Sequence, residues 1–320
     1  MTDISHPETF HDLPVYTLPL PRPAGTRALP PADSVAWRLD CQYELTFEEI
    51  WQDFLAEVDA ARVRALLIGP WWKGEYVSLG PVVDSIVSDA DRFPSLRALF
   101  LADVESEQCE LSWLEMCDIT PVLEALPLLE ELGVRGCGDP VAGQEHLRLR
   151  PVRHEALRSL RFESGGLPGH VVRAVAASGL PALEHLELWF GSAWYGGDAT
   201  VADLSPVLSG AAFPGLRRLG LQNSEIQDEI ATAVASAPVV ARLDSLSLAM
   251  GTLSDAGAQA LLDGQPLTHL SSLDLHHHYL SEPFVSRIGD LCARAGVRVD
   301  LTRVDDRELE EDTRYVAVSE

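Results

Sequence analysis

A leucine motif of the form Leu-x-x-Leu-x-Leu, or a close variant of it, occurs seven times along the 320-residue chain. The copies begin at Leu96, Leu129, Leu157, Leu183, Leu216, Leu243 and Leu270. A weaker copy centred on Leu66 precedes them, and the steps between successive middle leucines are 33, 33, 28, 26, 33, 27 and 27 residues. A period of this size is typical of repeats that hold one strand and one helix and bury their apolar side only by stacking. The chain is therefore predicted to be a stack of repeats, which is not the organisation of an ordinary enzyme domain.

The register of the leucine motif predicts which side chains are buried. Side chains alternate between the two faces of a strand, so Leu219 and Leu221 are expected to point into the core. Arg218, Gly220 and Gln222 are expected to point away from it.

Helical stretches are predicted between the strands. The clearest covers 254–262, where Ser254 suits the N-cap and Gly264 suits the stop, and the stretches 168–177 and 225–237 are similar. A strand–helix–strand unit of this size requires parallel strands and a right-handed crossover. The predicted fold class is therefore α/β: a curved solenoid with a parallel sheet on its concave side and helices on its convex side.

Two stretches resemble the ribonuclease-inhibitor-like class of leucine-rich repeat: LSSLDLHHHYL at 270–280, and the helix LSDAGAQALL at 253–262 that precedes it. The resemblance covers roughly 62–301, and it implies a horseshoe that binds proteins through its concave face and rim. The sequence at 161–168 and 197–204 also resembles an uncharacterised bacterial leucine-rich repeat family, whose genes lie beside those of ATP-grasp and radical-SAM enzymes. That second resemblance implies an accessory role in a modification pathway.

The chain departs from the resembled class at the turn that follows each strand. Three residues after the last strand leucine the class carries Asn or Cys, and only Cys137 matches it here. The other residues at this position are Val104, Gly165, Gly191, Ser224, Gly251 and His278. The glycines predict turns closed by backbone geometry and not by a ladder of asparagine side chains.

Four segments are predicted along the chain: a Pro-rich extended arm (1–33), an N-terminal cap (34–62), the solenoid (63–302) and an acidic tail (303–320). The prolines between Leu13 and Ala32 are expected to exclude a helix or a central strand. The cap is predicted to hold a strand over 34–40 and an amphipathic helix over 46–58, with Trp51 in its core. The tail is predicted to be solvated, with or without a short strand at 315–318.

Charge and composition restrict the classes of partner. The chain has 24 basic and 49 acidic residues, a net charge of −25, which repels nucleic acid and anionic membranes. A cationic partner, or simple solubility, fits this charge. The absence of a secretory signal, of ~18 consecutive apolar residues and of any Cys-x-x-Cys pair among the five cysteines predicts a cytoplasmic protein with free thiols.

Aromatic residues are concentrated where the repeat lengthens to 33 residues, in loops expected at the carboxyl ends of the strands. They are Trp71, Trp72, Tyr76, Trp113, Trp189, Phe190, Trp194 and Tyr195, and they include five of the seven tryptophans. Two interpretations remain open: the rings anchor a partner on a rim, or they fold back over the ends of the core.

A polar stripe on the concave face is the second candidate site. Its members are Arg135, Arg161, Glu163, His185, Glu187, Trp189, Arg218, Gln222, Asp274 and His276. Mixed charge suits a specific protein contact, although solvated strand faces have the same composition. The arginines Arg135, Arg161 and Arg218 are predicted either to hold a carboxylate or phosphate or to pair with Glu163 and Glu187 beside them.

Motifs of catalysis and metal binding are absent. The triplet 276–278 is all histidine, but neighbouring strand residues face opposite ways, so three separate roles are expected and not one metal site. No Walker loop, Gly-x-Ser-x-Gly elbow or His-Glu-x-x-His motif occurs, and no cofactor is expected. The prediction is a non-catalytic scaffold for a protein or peptide partner. The alternative is an accessory component that presents a peptide or small substrate, and an enzyme would need Arg135, Arg161, Glu163 and His185 to form a site.

Overall fold

The computed structural model describes residues 4–18, 28–42, 45–138, 146–303 and 314–319. Within these residues the chain forms one sheet of twelve strands whose spatial order is their order in sequence. The strands are β1 (Thr9–Phe10), β2 (Leu13–Thr17), β3 (Ala36–Leu39), β4 (Ala65–Ile68), β5 (Ala98–Leu101), β6 (Glu131–Arg135), β7 (Ser159–Glu163), β8 (His185–Gly191), β9 (Arg218–Ser224), β10 (Ser245–Ser247), β11 (Ser272–Asp274) and β12 (Arg298–Asp300). Only β1 and β2 pair in antiparallel fashion, and the other neighbours are parallel.

Eight α-helices of the described residues connect these strands. They are α1 (Phe47–Glu57), α2 (Gly80–Ser88), α3 (Thr120–Ala125), α4 (Gly169–Ala177), α5 (Ser205–Leu208), α6 (Gln227–Val234), α7 (Asp255–Asp263) and α8 (Glu282–Ala295). Ser254 caps α7 through its side chain and Gly264 ends the helix, as predicted. The α/β class and the parallel sheet predicted from the repeat are confirmed.

The middle leucines stand side by side across the sheet. Leu66 pairs with Leu99, Leu99 with Leu132, and the series continues strand by strand to Leu273. Trp37 on β3 and Val299 on β12 extend it at the two ends. This leucine ladder is buried in the main core between the sheet and the helices, so the repeat register predicted the core correctly.

The N-terminal cap has an aromatic core. Thr46 and Glu49 form a reciprocal capping box at the start of α1. Trp51 of that helix stacks on Phe47 and donates its indole N–H to Asp89 at 2.8 Å. The interpretation of Trp51 as cap core is confirmed by its burial.

The proline-rich arm contributes strands to the sheet. β2 pairs in parallel with β3, and β1 folds back on β2. Over Leu13–Thr17 the arm is therefore extended, as predicted, although it lies within the sheet between β1 and β3, where the prolines were expected to exclude a strand. Pro14 is tolerated because paired register with β3 begins only at Val15, and its missing N–H breaks no bond of that ladder. Residues 19–27, which hold further prolines, lie outside the described residues.

The segment 314–319 is packed against the repeats. Val316, Ala317 and Val318 are buried, so the prediction of a solvated tail is wrong for these residues, and they form no strand. The acidic run at 305–312 lies outside the described residues. Among the residues that the structure describes, no helix combines the length and the apolarity needed to cross a membrane.

Candidate functional site

The sheet has one face against the helices and an opposite face, here called the open face. Residues 4–12 lie across the first part of this open face. Phe10 packs with Ala36, Ala65 and Phe100 in a second, small apolar cluster, and its ring meets that of Phe100 edge-on at 6.0 Å. Nothing in the repeat pattern predicted this cover. The alanines that β3, β4 and β5 place at open-face positions were the available signal, because solvated strand positions are commonly polar.

Charged side chains form a continuous row across the middle of the open face, here called the ion-pair row. Its members are Arg38, Asp103, Arg135, Glu163, Arg161, Glu187 and His185. Arg38 and Asp103 were not predicted from the sequence, since neither occupies an outward-facing strand position of one of the leucine motifs. Residues 4–12 approach the row as well, because His6 lies 3.2 Å from Asp103 and contacts Arg38.

Arg135 and Glu163 form the buried centre of the row. The Arg135 Nε and Nη2 atoms lie 2.8 and 2.7 Å from one oxygen of Glu163, and the two side chains are only 4% and 5% exposed. Arg135 also donates to the Val104 carbonyl at 2.6 Å, and its guanidinium lies over the Phe100 ring. The expectation that Arg135 and Glu163 face solvent is wrong, because the side chains of Phe100, Asp103 and Arg161 pack around this pair.

Arg161, Glu187 and His185 form the partly exposed end of the row. Arg161 Nε lies 3.2 Å from Glu163, and His185 Nε2 lies 3.4 Å from Glu187. Burial disfavours the charged form of Glu187, but the His185 hydrogen bond and the Arg161 charge hold the pKa of that carboxyl below its usual value. Burial likewise disfavours the charged Arg161, but Glu163 and Glu187 raise the pKa of its guanidinium.

The charges of the row balance each other. Its three arginines face three carboxylates, those of Asp103, Glu163 and Glu187. Of the two interpretations left open for Arg135 and Arg161, pairing with the protein's own carboxylates is the one that the geometry supports. Arg218, the third arginine named with them, is exposed at the start of β9.

Polar groups continue beyond the row on β8 to β12. Trp189 belongs to β8 and not to a loop, and its indole N–H donates to Glu187 at 2.9 Å. Gln222 is buried on β9. Asp274 and His276 are half-buried and form a hydrogen bond of 2.8 Å between Oδ1 and Nδ1.

The Asp274–His276 pair is the most polar group at this end of the face. The Asp274 hydrogen bond raises the pKa of His276. Burial raises the pKa of Asp274, but the His276 hydrogen bonds more than offset it and leave the pKa below its usual value. Asp274, His276 and Asp300 each place one possible metal-ligand atom within 4.8 Å of the others. Asp274 and His276 are, however, already hydrogen-bonded to each other.

The aromatic loops divide into buried and exposed rings. Trp71 and Trp72 are buried, and Trp71 donates its indole N–H to the Val77 carbonyl at 2.8 Å. For these two the core-covering interpretation holds, because the loop after β4 folds back between α1 and α2. There they help to line a groove of 520 Å³. Trp72, Tyr76 and Trp113 continue outward as successive edge-to-face contacts, and Trp113 is 60% exposed.

Trp194 is 86% exposed, more than any other large apolar side chain among the described residues. Its loop is held rigidly: Ser192 Oγ donates to Glu225 at 2.8 Å, the Ala193 N–H donates to Glu225 at 2.9 Å, and the Trp194 N–H donates to Ser192 at 3.1 Å. Tyr195 in the same loop is partly buried. The loop therefore displays one indole ring to solvent at the edge of the open face.

The three consecutive histidines have three different surroundings, as the register predicted. His276 bonds Asp274, and His277 Nε2 lies 3.1 Å from the Tyr315 carbonyl. His278 is fully buried, with Nε2 3.0 Å from the Leu301 carbonyl and Nδ1 accepting the Leu280 N–H at 3.1 Å. This arrangement assigns the proton of His278 to Nε2, and burial lowers the pKa of the ring.

The five cysteines are free and buried. Burial raises the pKa of Cys41 to about 12 and those of Cys109 and Cys137 to about 11. These thiols are therefore protonated at neutral pH and are poor nucleophiles. The prediction of free thiols agrees with this arrangement.

Solved structures resemble this chain over most of its length. A Bacteroides fragilis protein determined by a structural genomics consortium superposes with a TM-score of 0.72 and 28% sequence identity, over 86% of this chain and 76% of that one. A chain from the complex of TLR13 with the RNA ssRNA13 superposes with a TM-score of 0.39 and 14% identity, over 85% of this chain and 36% of that one. No known protein-family model matches the sequence. No curated protein matches it either.

Proposed function

We propose that this chain is a non-catalytic leucine-rich repeat scaffold, curved as a horseshoe, which binds a protein or peptide partner. The partner would lie on the open face from β8 to β12 and against the loop that carries Trp194. The observation that carries the proposal is the exposed indole of Trp194 on a loop fixed by Glu225. Exposed tryptophan side chains on a fixed backbone are favoured anchors, because little backbone conformational entropy is lost when they bind.

The location of the surface follows from what is already covered. Residues 4–12 occupy the open face over β3 to β6, through Phe10 and through His11, which lies 3.2 Å from Glu131. The uncovered part carries Arg218, Asp274 and His276, all at least partly exposed. A polar surface beside a single aromatic anchor suits a specific, water-accessible protein contact.

A catalytic role is not supported by the side chains that it would need. Arg135 and Glu163 are bonded to each other in the buried centre of the ion-pair row, and Arg161 is held against the same carboxylate. We therefore propose a non-catalytic role, since these side chains would have to give up their mutual ion pairs before they could bind a substrate.

The test is quantitative recovery of partners by the full chain carrying Trp194→Ala, compared with the wild type. We expect about a 30-fold loss of affinity, as for an anchor of about 2 kcal/mol. Leu128→Ala is the matched control, since Leu128 is another exposed apolar side chain but precedes β6 at the opposite edge of the sheet. Equal recovery by Trp194→Ala and Leu128→Ala would refute the proposal.

A further inference from the structure

The turns at the carboxyl ends of β7 to β11 hold a peptide segment, the chain's own residues 314–319, which bends at Ala317. The peptide lies near His277 at one end and near Gly165 at the other, where an added Cβ on Gly165 would lie 2.5 Å from the Ser319 carbonyl oxygen. It therefore crosses five successive repeats. The row of turns that it occupies is here called the turn groove.

Recognition in the turn groove is directed mainly at the peptide backbone. Asn223 accepts the Val318 N–H at 2.9 Å and donates to the Val318 carbonyl at 2.6 Å. The Ala317 N–H donates to the Met250 carbonyl at 2.8 Å, and Tyr279 exchanges hydrogen bonds with the backbone of Tyr315. Paired backbone contacts of this kind are how proteins bind extended peptides with limited dependence on side-chain identity.

Side-chain selectivity comes from two further features. Val316 and Val318 are buried, so the groove accepts apolar side chains at these two positions. Arg314 donates to the Thr252 carbonyl at 3.0 Å and lies 3.3 Å from Asp228, within a pocket of 380 Å³ that Glu225 and Glu229 also line. Three carboxylates around one guanidinium leave net negative charge in the pocket, which favours a basic residue there.

We propose that the turn groove is a peptide-binding site for short segments of the pattern basic–x–apolar–Ala–apolar, with residues 314–319 as its tethered occupant. The ligand is a segment of this chemistry from another protein, which competes with the chain's own segment. Tethering makes the occupant a strong competitor, because a short linker gives an effective concentration in the millimolar range. The groove adjoins the Trp194 loop, since Glu225 fixes that loop and also lines the pocket of Arg314, but the contacts of residues 314–319 are observed whether or not a partner binds Trp194. The inference therefore does not depend on the function proposed above.

The test uses a fluorescently labelled peptide, Arg-Tyr-Val-Ala-Val-Ser, and full chains throughout. In the double variant Val316→Asp, Val318→Asp the tethered segment is expelled, because two carboxylates cannot be buried unpaired. We expect this variant to bind the labelled peptide at one-to-one stoichiometry and at least about tenfold more tightly than the wild type. The control adds Asn223→Ala to the double variant, which removes the backbone clamp and is expected to abolish binding.

Specificity is tested with a second peptide in which Arg314 is replaced by Glu. It is expected to bind at least about tenfold more weakly, with the difference shrinking at high salt as the acidic pocket is screened. A double variant that retains its circular dichroism spectrum and melting transition but does not bind the peptide overturns the proposal. An undiminished affinity after Asn223→Ala overturns it as well.

Hydrogen exchange of the wild type provides a test that needs no variant. An exchangeable occupant opens locally, so the Ala317 and Val318 amides should exchange much faster than the amides of β9 beneath them. Protection equal to that of β9 would make residues 314–319 a fixed part of the fold and would overturn the proposal.

Discussion

Arg135 and Glu163 show at the scale of single residues how burial changes the value of an ion pair. Removing one partner by Arg135→Met leaves a buried carboxylate that only Arg161 still contacts, and we expect a loss of about 3–5 kcal/mol in the free energy of unfolding. The double change Arg135→Met, Glu163→Leu should recover much of this loss, because no unpaired charge stays buried. Chemical denaturation of the three proteins measures both effects.

The exposed pair Arg158–Glu184 is the matched control. Its N–O distance is 2.6 Å, close to that of Arg135–Glu163, but both side chains are more than 40% exposed. Arg158→Met should therefore cost less than about 1 kcal/mol. Equal losses at the two sites would contradict the role given to burial.

His278 makes the stability depend on pH through a single buried ring. Its folded pKa is lowered, so the unfolded state binds the proton more readily, and this contribution to stability is fully present above the unfolded value of about 6.5. The contribution is lost as the pH falls through the folded pKa, because protonation of Nδ1 breaks the bond from the Leu280 N–H. His278→Asn should remove this part of the pH dependence. Chemical denaturation at intervals of about 1 pH unit between about pH 5 and 8 measures the free energy of unfolding of both proteins.

His276 titrates with the opposite sign and must be separated from His278. Its folded pKa is raised by Asp274, so its contribution is present below the unfolded value and is lost as the pH rises through the folded pKa. The difference between wild type and His278→Asn isolates the buried ring, since both proteins keep His276. Parallel stability curves for the two proteins would rule out the effect.

At the scale of the elements, close packing of two turns depends on Gly191. This residue ends β8 with a φ of +68°, and a Cβ placed there would lie 1.8 Å from the Gly165 carbonyl oxygen. Gly191→Ala should therefore lower the free energy of unfolding by about 3 kcal/mol or more, from backbone strain together with overpacking.

Gly296 separates these two causes. It caps the end of α8 with a φ of +74°, but an added Cβ would meet no atom within 4 Å. Gly296→Ala should therefore cost only the backbone strain, about 1 kcal/mol. Thermal or chemical denaturation of both variants measures the difference, and equal costs would show that the contact with Gly165 is not limiting.

The whole molecule carries a net charge of −25. Repulsion between its acidic side chains destabilises the folded state. Added salt screens exposed charges but hardly affects the buried ion-pair row, so the melting temperature should rise between about 10 and 300 mM NaCl. Thermal denaturation at several NaCl concentrations measures this change in melting temperature, and guanidinium chloride is left out because it is itself a salt. A falling melting temperature would mean that attractive surface pairs, such as Arg158–Glu184, outweigh the overall repulsion.

The repeat itself was predictable because its causes are local. Leucine spacing determines which strand residues face the core, and the ladder from Leu66 to Leu273 follows from that spacing alone. The helix boundaries at Ser254 and Gly264 depend on neighbouring backbone groups and were also predicted. The separate roles of the three histidines followed from the same alternation of strand faces.

Contacts between distant parts of the chain decided the rest. His6 donates its backbone N–H to Glu105 at a separation of 99 residues, and Asn223 binds Val318 at a separation of 95. No local pattern encodes such pairs, so the sequence did not reveal that residues 4–12 cover the open face from β3 to β6. Nor did it distinguish Trp72, which its loop folds inward, from Trp194, which its loop displays. By itself the sequence determined the repeating sheet and its core, because periodic burial is a property of neighbouring residues. Which polar and aromatic residues remain open to a partner was decided only by the tertiary structure, since exposure depends on what the distant ends of the chain cover.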